Sequence, residues 1–315
     1  MSGLTNRRVL LPVLALASIG ALLAGCAQEP AATASSAPAA SSAAASAAPA
    51  ESAAPAASAS AAPELTACSK ENLTLVTPGT LTIGTDTPAY PPYFSDDDPS
   101  NGEGFESAVA YAVADGLGFA PNEVTWATVP FNSSYAPGDK AFDFDINQIS
   151  ITPKRQKVVD FSNGYYTVNQ AVIALKDSPI ANATTLAELQ AAKLGAQIGT
   201  TSLDFINEVV QPADQPYVYN DTNDAKSALQ NGQIDGIVVD LPTAYYITAV
   251  EIPKGKIVGQ FKAQEGGEQF GLLFAKGNPL VSCVNEVIDG LAASGELQSI
   301  QDEWLAGDVA PYFTE

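Results

Sequence analysis

Two hydrophobic rhythms alternate along the chain. Short apolar runs at Leu81–Thr85, Val124–Val129, Phe142–Ile146, Ala171–Leu175, Leu194–Ile198, Tyr217–Tyr219, Ile234–Val239 and Leu272–Ala275 have the length and β-branched content of strands. Between them lie stretches with a 3.6-residue period: Phe105–Leu117, Leu186–Ala192, Leu203–Val210, Ala225–Asn231, Pro242–Val250, Pro279–Ser294 and Glu296–Leu305. Thr222 or Asn223 can open a helix that Gly232 closes, and Gly295 separates the last two. Strand and helix in alternation predict α/β lobes with largely parallel sheets. Ligands of such sheets bind beyond the C-terminal strand ends, on the loops that lead into helices.

The first sixty-odd residues do not share this rhythm. Arg7 and Arg8 precede a single apolar run, Val9 to Leu23, which ends in Leu23-Ala24-Gly25-Cys26. Fifteen apolar residues fall short of the ~20 that span a bilayer, so residues 1–25 read as a cleaved signal peptide. The Leu-Ala-Gly-Cys ending resembles a bacterial lipobox, which would make Cys26 a lipidated N-terminus. Residues 26–67 are dominated by Ala, Ser and Pro, a composition too poor in large apolar groups to repay ordering, and are expected to form a tether. Together they predict an extracytoplasmic protein anchored to the cell membrane as a lipoprotein.

Composition then removes several kinds of chemistry. Without Arg7 and Arg8 there are twelve basic residues against 35 acidic ones, a net charge of −23. That surface repels nucleic acid. Histidine is absent from the chain, which excludes Ser-His-Asp and Cys-His machinery and the common zinc sets; no cofactor or metal is expected.

What remains is a set of loops at strand ends. In "GTDTPAYPPYF", Asp86 ends a strand, and Tyr90 and Tyr93 flank two prolines that pin the backbone; the segment reads either as the wall of a site or as a rigid turn. "QIGTTSLD" places Thr200 and Thr201 where a strand turns into a helix, either an oxyanion cradle or an ordinary cap. Asp240 ends the apolar strand of "IDGIVVDLPTAYY" just before Pro242, as an N-cap or as a partner for a cation. Arg155, in "DINQISITPKRQ", is the sole arginine beyond residue 8. Its fork can hold a carboxylate bidentately, which lysine cannot. An arginine and a helix start on one side with a carboxylate on the other describe a receptor for a zwitterion.

Six segments, "LTIGTDTPAYPPYF", "GFESAVAYAVADGLGF", "SITPKRQKVVDFSNGYY", "GAQIGTTSLD", "IDGIVVDLPTAYY" and "KGNPLVSCVNEVIDGLAASGELQSIQDEW", stand in the order found in the amino-acid-binding proteins of ABC importers. From about Leu73 to Leu305 the chain resembles that family, the bacterial extracellular solute-binding proteins of family 3. The resemblance implies an α/β, two-lobed periplasmic-binding-protein-like fold of type II with two chain crossings, near Val168–Gln170 and Gly266–Gln269. Lobe one would be residues 68–169 plus 268–315, and lobe two residues 170–267. It also implies that Arg155 and Ser150 take a ligand α-carboxylate with help from Thr200 and Thr201, that Asp240 meets the α-ammonium, that Tyr90 and Phe131 pack on the ligand side chain, and that Asp86 lies at its far end. The implied partners are a small amino acid and the permease subunits of an ABC importer, with the receptor itself a monomer. Cys68, before the first strand, and Cys283, in a helix returning to the same lobe, would form a disulfide. Two departures stand out: Asn147-Gln148 where smaller residues are usual, and proline and glycine after Phe131 in place of a longer helix. The rival reading is an enzyme on the same fold, such as a cyclohexadienyl-type dehydratase. Without histidine its acid or base would have to be Asp, Glu, Lys or Tyr, and none stands apart, so a non-enzymatic receptor is expected.

Overall fold

The computed structural model describes residues 68–262, 267–305 and 310–314. The signal peptide, Cys26 and the tether to residue 67 lie outside the described residues.

The first lobe begins with β1 (Leu81–Thr85), α1 (Phe105–Gly116), β2 (Val124–Thr128), α2 (Phe131–Ser134), β3 (Phe144–Asp145) and β4 (Val159–Val168). One residue, Asn169, separates β4 from β5 (Gln170–Leu175), the first strand of the second lobe. There follow α3 (Leu186–Leu189), β6 (Leu194–Gln197), α4 (Thr201–Phe205), β7 (Tyr217–Tyr219), α5 (Thr222–Gln230), β8 (Gly236–Asp240), α6 (Leu241–Tyr246) and β9 (Gly255–Gln260). The chain then returns with β10 (Glu268–Ala275), α7 (Leu280–Ser294) and α8 (Glu296–Trp304).

Each lobe holds a five-stranded sheet, in the orders β2-β1-β3-β10-β4 and β7-β6-β8-β5-β9. The sheets are mixed, which corrects the expectation of largely parallel ones. β1 runs parallel to β2 and β3, and β6 to β7 and β8, whereas β10 is antiparallel to β3 and β4, and β5 to β8 and β9. The reason is the crossing itself: a strand that re-enters a lobe directly from its neighbour has no helix to turn it round, so it joins antiparallel.

Both faces of the second sheet are covered, as its near-continuous apolar strands require. Val172, Ala174 and Val238 face one core with Leu189 and Ile206, while Ala171, Ile173 and Ile237 face another with Leu229 and Ile247. In the first lobe Phe105, Phe144, Phe270 and Phe274 are buried in one cluster with Leu81, Ile83 and Val284. Cys68 and Cys283 are joined there by a disulfide that ties the start of the lobe to α7.

The chain end departs from the expected division. Tyr312 bridges to Gln260 and Thr314 to Thr185, and Phe313 stacks on Phe261 with ring centroids 5.0 Å apart. Residues 310–314 therefore pack on the second lobe, not the first. The edge of β9 is what draws them: Gln260 N–H donates to Pro311 O and Gln260 O accepts from Phe313 N–H, pairing groups an edge strand would leave open.

Candidate functional site

The two lobes face each other across a cleft whose walls come from strand-end loops of both sheets. Asp86, Tyr90, Phe131, Asn147 and Gln148 line it from the first lobe, and Thr200, Thr201, Ser202, Lys226, Asp240 and Glu251 from the second. Asp86 is fixed by its own wall: its carboxylate accepts from Phe131 N at 3.0 Å and from Thr87 N at 2.7 Å, so it orients the start of α2. That helix is a single turn, consistent with Pro137 and Gly138 just beyond it.

The lobes touch at several points. Ser150 Oγ lies 3.3 Å from Thr201 Oγ1, and Asn223 Nδ2 donates to Tyr90 Oη at 2.9 Å. A third is at Gly199, at φ +77°, where an added Cβ would stand 2.2 Å from Asn132 Oδ1 and 2.4 Å from Tyr135 Oη. Only glycine permits both that backbone and that approach.

Asp240 stands at the N-cap position of α6 but does not cap it with its side chain. Oδ1 instead accepts from Gln170 Nε2 at 2.6 Å. Gln170 Nε2 also donates to Glu268 at 3.0 Å, and Gln170 Oε1 accepts from Ser202 Oγ at 2.6 Å. Burial, then the neighbouring Glu268 charge, raise the Asp240 pKa well above the carboxylate range, against the pull of Gln170 and Arg155. A cation beside Asp240 would restore its charge. Thr200, by contrast, does cap its helix, accepting from Leu203 N at 3.2 Å.

Arg155 and Ser150 are placed differently from the other six expected residues. Neither is on the wall of that cavity; Arg155 borders a larger one with Gly199, Thr201, Gln170 and Glu268. Arg155 is buried, 6 % exposed, with its guanidinium against the rings of Phe131 and Tyr135 at 5.5 and 4.9 Å. Nη1 donates to Ser150 O at 2.7 Å and Nη2 to Gly199 O at 3.0 Å. The fork thus clasps one carbonyl of each lobe. Two of its five N–H groups are so used. Ser150 Oγ donates to Glu268 at 2.5 Å.

Beneath the cleft lie polar groups that β-strand patterning does not explain. Glu106, fully buried, accepts from Tyr165 Oη and from Gln148 N and Nε2, and burial pushes its pKa up to about 7. Gln148, at φ +48°, lines the cavity and gives its amide to Glu106. Among the described residues Asn147 Nδ2 is buried without a partner, as are Thr85 Oγ1 and both Asp145 oxygens. Asn147 also lines the cavity.

A match to one family's sequence profile, that of the bacterial extracellular solute-binding proteins, family 3, covers residues 81–307, which includes both lobes. The chain belongs to this family. Among its relatives is the L-cystine-binding protein TcyJ of Escherichia coli K12, 30 % identical over 234 residues that cover 73 % of this chain and 84 % of that protein. Among solved structures, an ancestral arginine-binding protein bound to arginine superposes with a TM-score of 0.61 at 28 % identity, over 72 % of this solute-binding protein and 99 % of that one. An ancestral amino acid-binding protein, described as a precursor of cyclohexadienyl dehydratase, gives a TM-score of 0.60 at 28 % identity, covering 72 % and 96 %.

Sequence reasoning passed over Gln170, Ser202, Lys226, Glu251 and Glu268. Lys226 had a signal: it sits beside Ala225 and three residues before Leu229, both on the buried stripe of α5, where a lysine is out of place. Gln170 and Glu268 open the two crossing strands, so the hinge and the site share residues. Gln170 is assigned a bonding role only by the fold.

Proposed function

We propose that this solute-binding protein is an extracytoplasmic receptor that closes on a free amino acid and delivers it to an ABC importer, held at the membrane by a lipid on Cys26. The observation that carries the reading is the pairing of Asp240 with Arg155 across one continuous hydrogen-bonded group that includes Gln170, Glu268, Ser150 and Thr201. A zwitterion is the ligand that such a group can hold at both poles. Its ammonium sits against Asp240, and its carboxylate enters between Ser150 and Thr201 to reach the remaining donors of Arg155, aided by amides at the start of α4 that have no carbonyl ahead of them in the helix. Because the ligand bridges both lobes, it favours the closed arrangement by contacts available only there. The amino-acid ligands named for relatives support the class of ligand.

Calorimetric titration with the twenty amino acids tests this. One or more should bind, and Arg155→Ala and Asp240→Asn should each weaken that binding by about 2–5 kcal/mol, the cost of stranding one member of a buried charged pair. Arg155→Lys should recover little. Wild-type affinity in folded Arg155→Ala would refute the carboxylate role. The anchor is checked separately: Cys26→Ser should leave the membrane fraction, and its retention there would rule out lipidation.

A further inference from the structure

The hydroxyl that the receptor reading gives to the ligand carboxylate is already engaged by a carboxylate of the protein. Ser150 Oγ donates to Glu268 Oε1 at 2.5 Å, and Glu268 Oε2 accepts from Gln170 Nε2 at 3.0 Å. Backbone pairing fixes the first of these contacts. Ser150 forms an antiparallel bridge with Phe270, and Ile151 N–H donates to Gln269 O at 2.8 Å. Glu268, two positions before Phe270, therefore leaves its strand on the same face as Ser150. It also borders the same cavity as Arg155 and Thr201.

A serine hydroxyl carries one hydrogen, and a carboxylate only accepts. Given to Glu268, the Ser150 hydrogen is not available to a second carboxylate. Towards Thr201 Oγ1, 3.3 Å away, Ser150 Oγ is left as the acceptor, so the Thr201 hydrogen is directed to Ser150 in turn. The hydroxyls thus point in one direction, from Thr201 to Ser150 to Glu268. A ligand carboxylate that enters between Ser150 and Thr201 seeks the same hydrogens and carries the same charge as Glu268, and two carboxylates in one place oppose each other. Glu268 is only half-buried, so its side chain has water to turn to when Ser150 is taken from it.

We infer that Glu268 is an internal competitor for the ligand carboxylate, holding the Ser150 hydroxyl until a ligand displaces it and so lowering the affinity of the receptor. This rests on the proposed receptor function and goes beyond it, because it assigns a residue of the site that opposes binding. The other role open to a carboxylate here is to accept the ligand ammonium beside Asp240, with which Glu268 shares the amide of Gln170. The two roles differ in sign: a competitor weakens binding, a second acceptor strengthens it.

The test is calorimetric titration of the full chain with the twenty amino acids and L-cystine. Glu268→Ala should bind the ligands of wild type about tenfold tighter, because it lacks a charge-assisted hydrogen bond that only the unbound protein makes. Glu268→Gln should gain less, since its amide oxygen still accepts from Ser150. In a Ser150→Ala background the gain should vanish, there being no hydroxyl to contest, whereas a general relief of negative charge would persist there. If Glu268→Ala does not fold, Glu268→Gln alone and combined with Ser150→Ala is read for the same signs. Weaker or unchanged binding in the folded Glu268 variants, or a gain of equal size in the Ser150→Ala background, overturns the inference and leaves the receptor function standing. Binding by Glu268→Ala of an amino acid that wild type does not bind supports both. If neither wild type nor a Glu268 variant binds any of these compounds, the receptor function fails and the inference falls with it.

Discussion

At the scale of single residues, Asp240 decides how the protein responds to acid. Its pKa is raised by burial and then by Glu268, so the free protein keeps a proton there to higher pH than an ordinary aspartate does. An ammonium ligand stabilises the carboxylate and expels that proton. Over the range where free Asp240 is protonated and bound Asp240 is not, affinity should therefore rise by about tenfold per pH unit. Titration between pH 5 and 8 in two buffers of different ionisation enthalpy should show proton release over part of that range, and Asp240→Asn should release none; equal heats in both buffers at every pH for wild type would contradict the linkage. Much of this residue's position was legible, because an aspartate that closes an apolar strand is visible in "GIVVD". Its bonding was not. Whether a side chain caps its own helix or meets Gln170, 70 positions away, is fixed by tertiary approach. Arg155 shows the same limit: the need for a fork was readable, but its present hold on Ser150 O and Gly199 O depends on how closely the lobes meet.

At the scale of elements, the strands that the apolar pattern found are mostly the covered ones, and the two it missed are edges. β4 and β9 each lie at the end of a sheet. In "VDFSNGYYTV", burial is interrupted at Asp160, Asn163, Gly164, Tyr166 and Thr167, so no apolar run of strand length forms. "GKIVGQ" is short and has glycine at its first and fifth positions. Strands covered on one side or broken by bulges need no continuous apolar run. β10 was expected only from Leu272, yet it starts at Glu268, because pairing with Thr167 and Val168 extends it through polar residues into the hinge. Two helices kept their predicted reach by changing form: α4 and α6 pass into single wider turns over Ile206–Val210 and Ile247–Glu251. The second of these brings Glu251 to the wall of the cavity.

At the scale of the whole molecule, buried carboxylates set the pH dependence of stability. Glu106 is pushed to about 7, and Asp145, Asp143 and Asp240 are raised too, in each case first by burial. Groups raised in the folded state hold protons that the unfolded chain has released. Their contribution is full below the ordinary carboxylate range and is lost as pH climbs through the folded values, near 7 for Glu106. Glu123 and Glu188, lowered by hydrogen bonds from Lys70 and from the Thr184 amide, act in the opposite sense and lose their contribution as pH falls below their ordinary range. The melting temperature should therefore be higher at pH 5 than at pH 8. Glu106→Gln should flatten part of that slope, worth at most about 3 kcal/mol. A melting temperature that rises from pH 5 to pH 8 would contradict this balance.

The chain end bears on movement rather than on charge. Leu305 packs against the first lobe, and Tyr312 to Thr314 are stitched to the second. The lobes are thus spanned three times, twice by the crossing strands and once more by this strap. Two adjacent strands alone would act as a hinge with wide freedom to swing. From Leu305 to Ala310 is five residue steps, at most ~17 Å of fully extended chain. Past that separation the strap must peel its strand from β9, surrendering the Gln260 bonds and the Phe261–Phe313 stack. It therefore acts as a check-strap does on a door, setting a limit on how far the two lobes can part while the pairing at β9 survives.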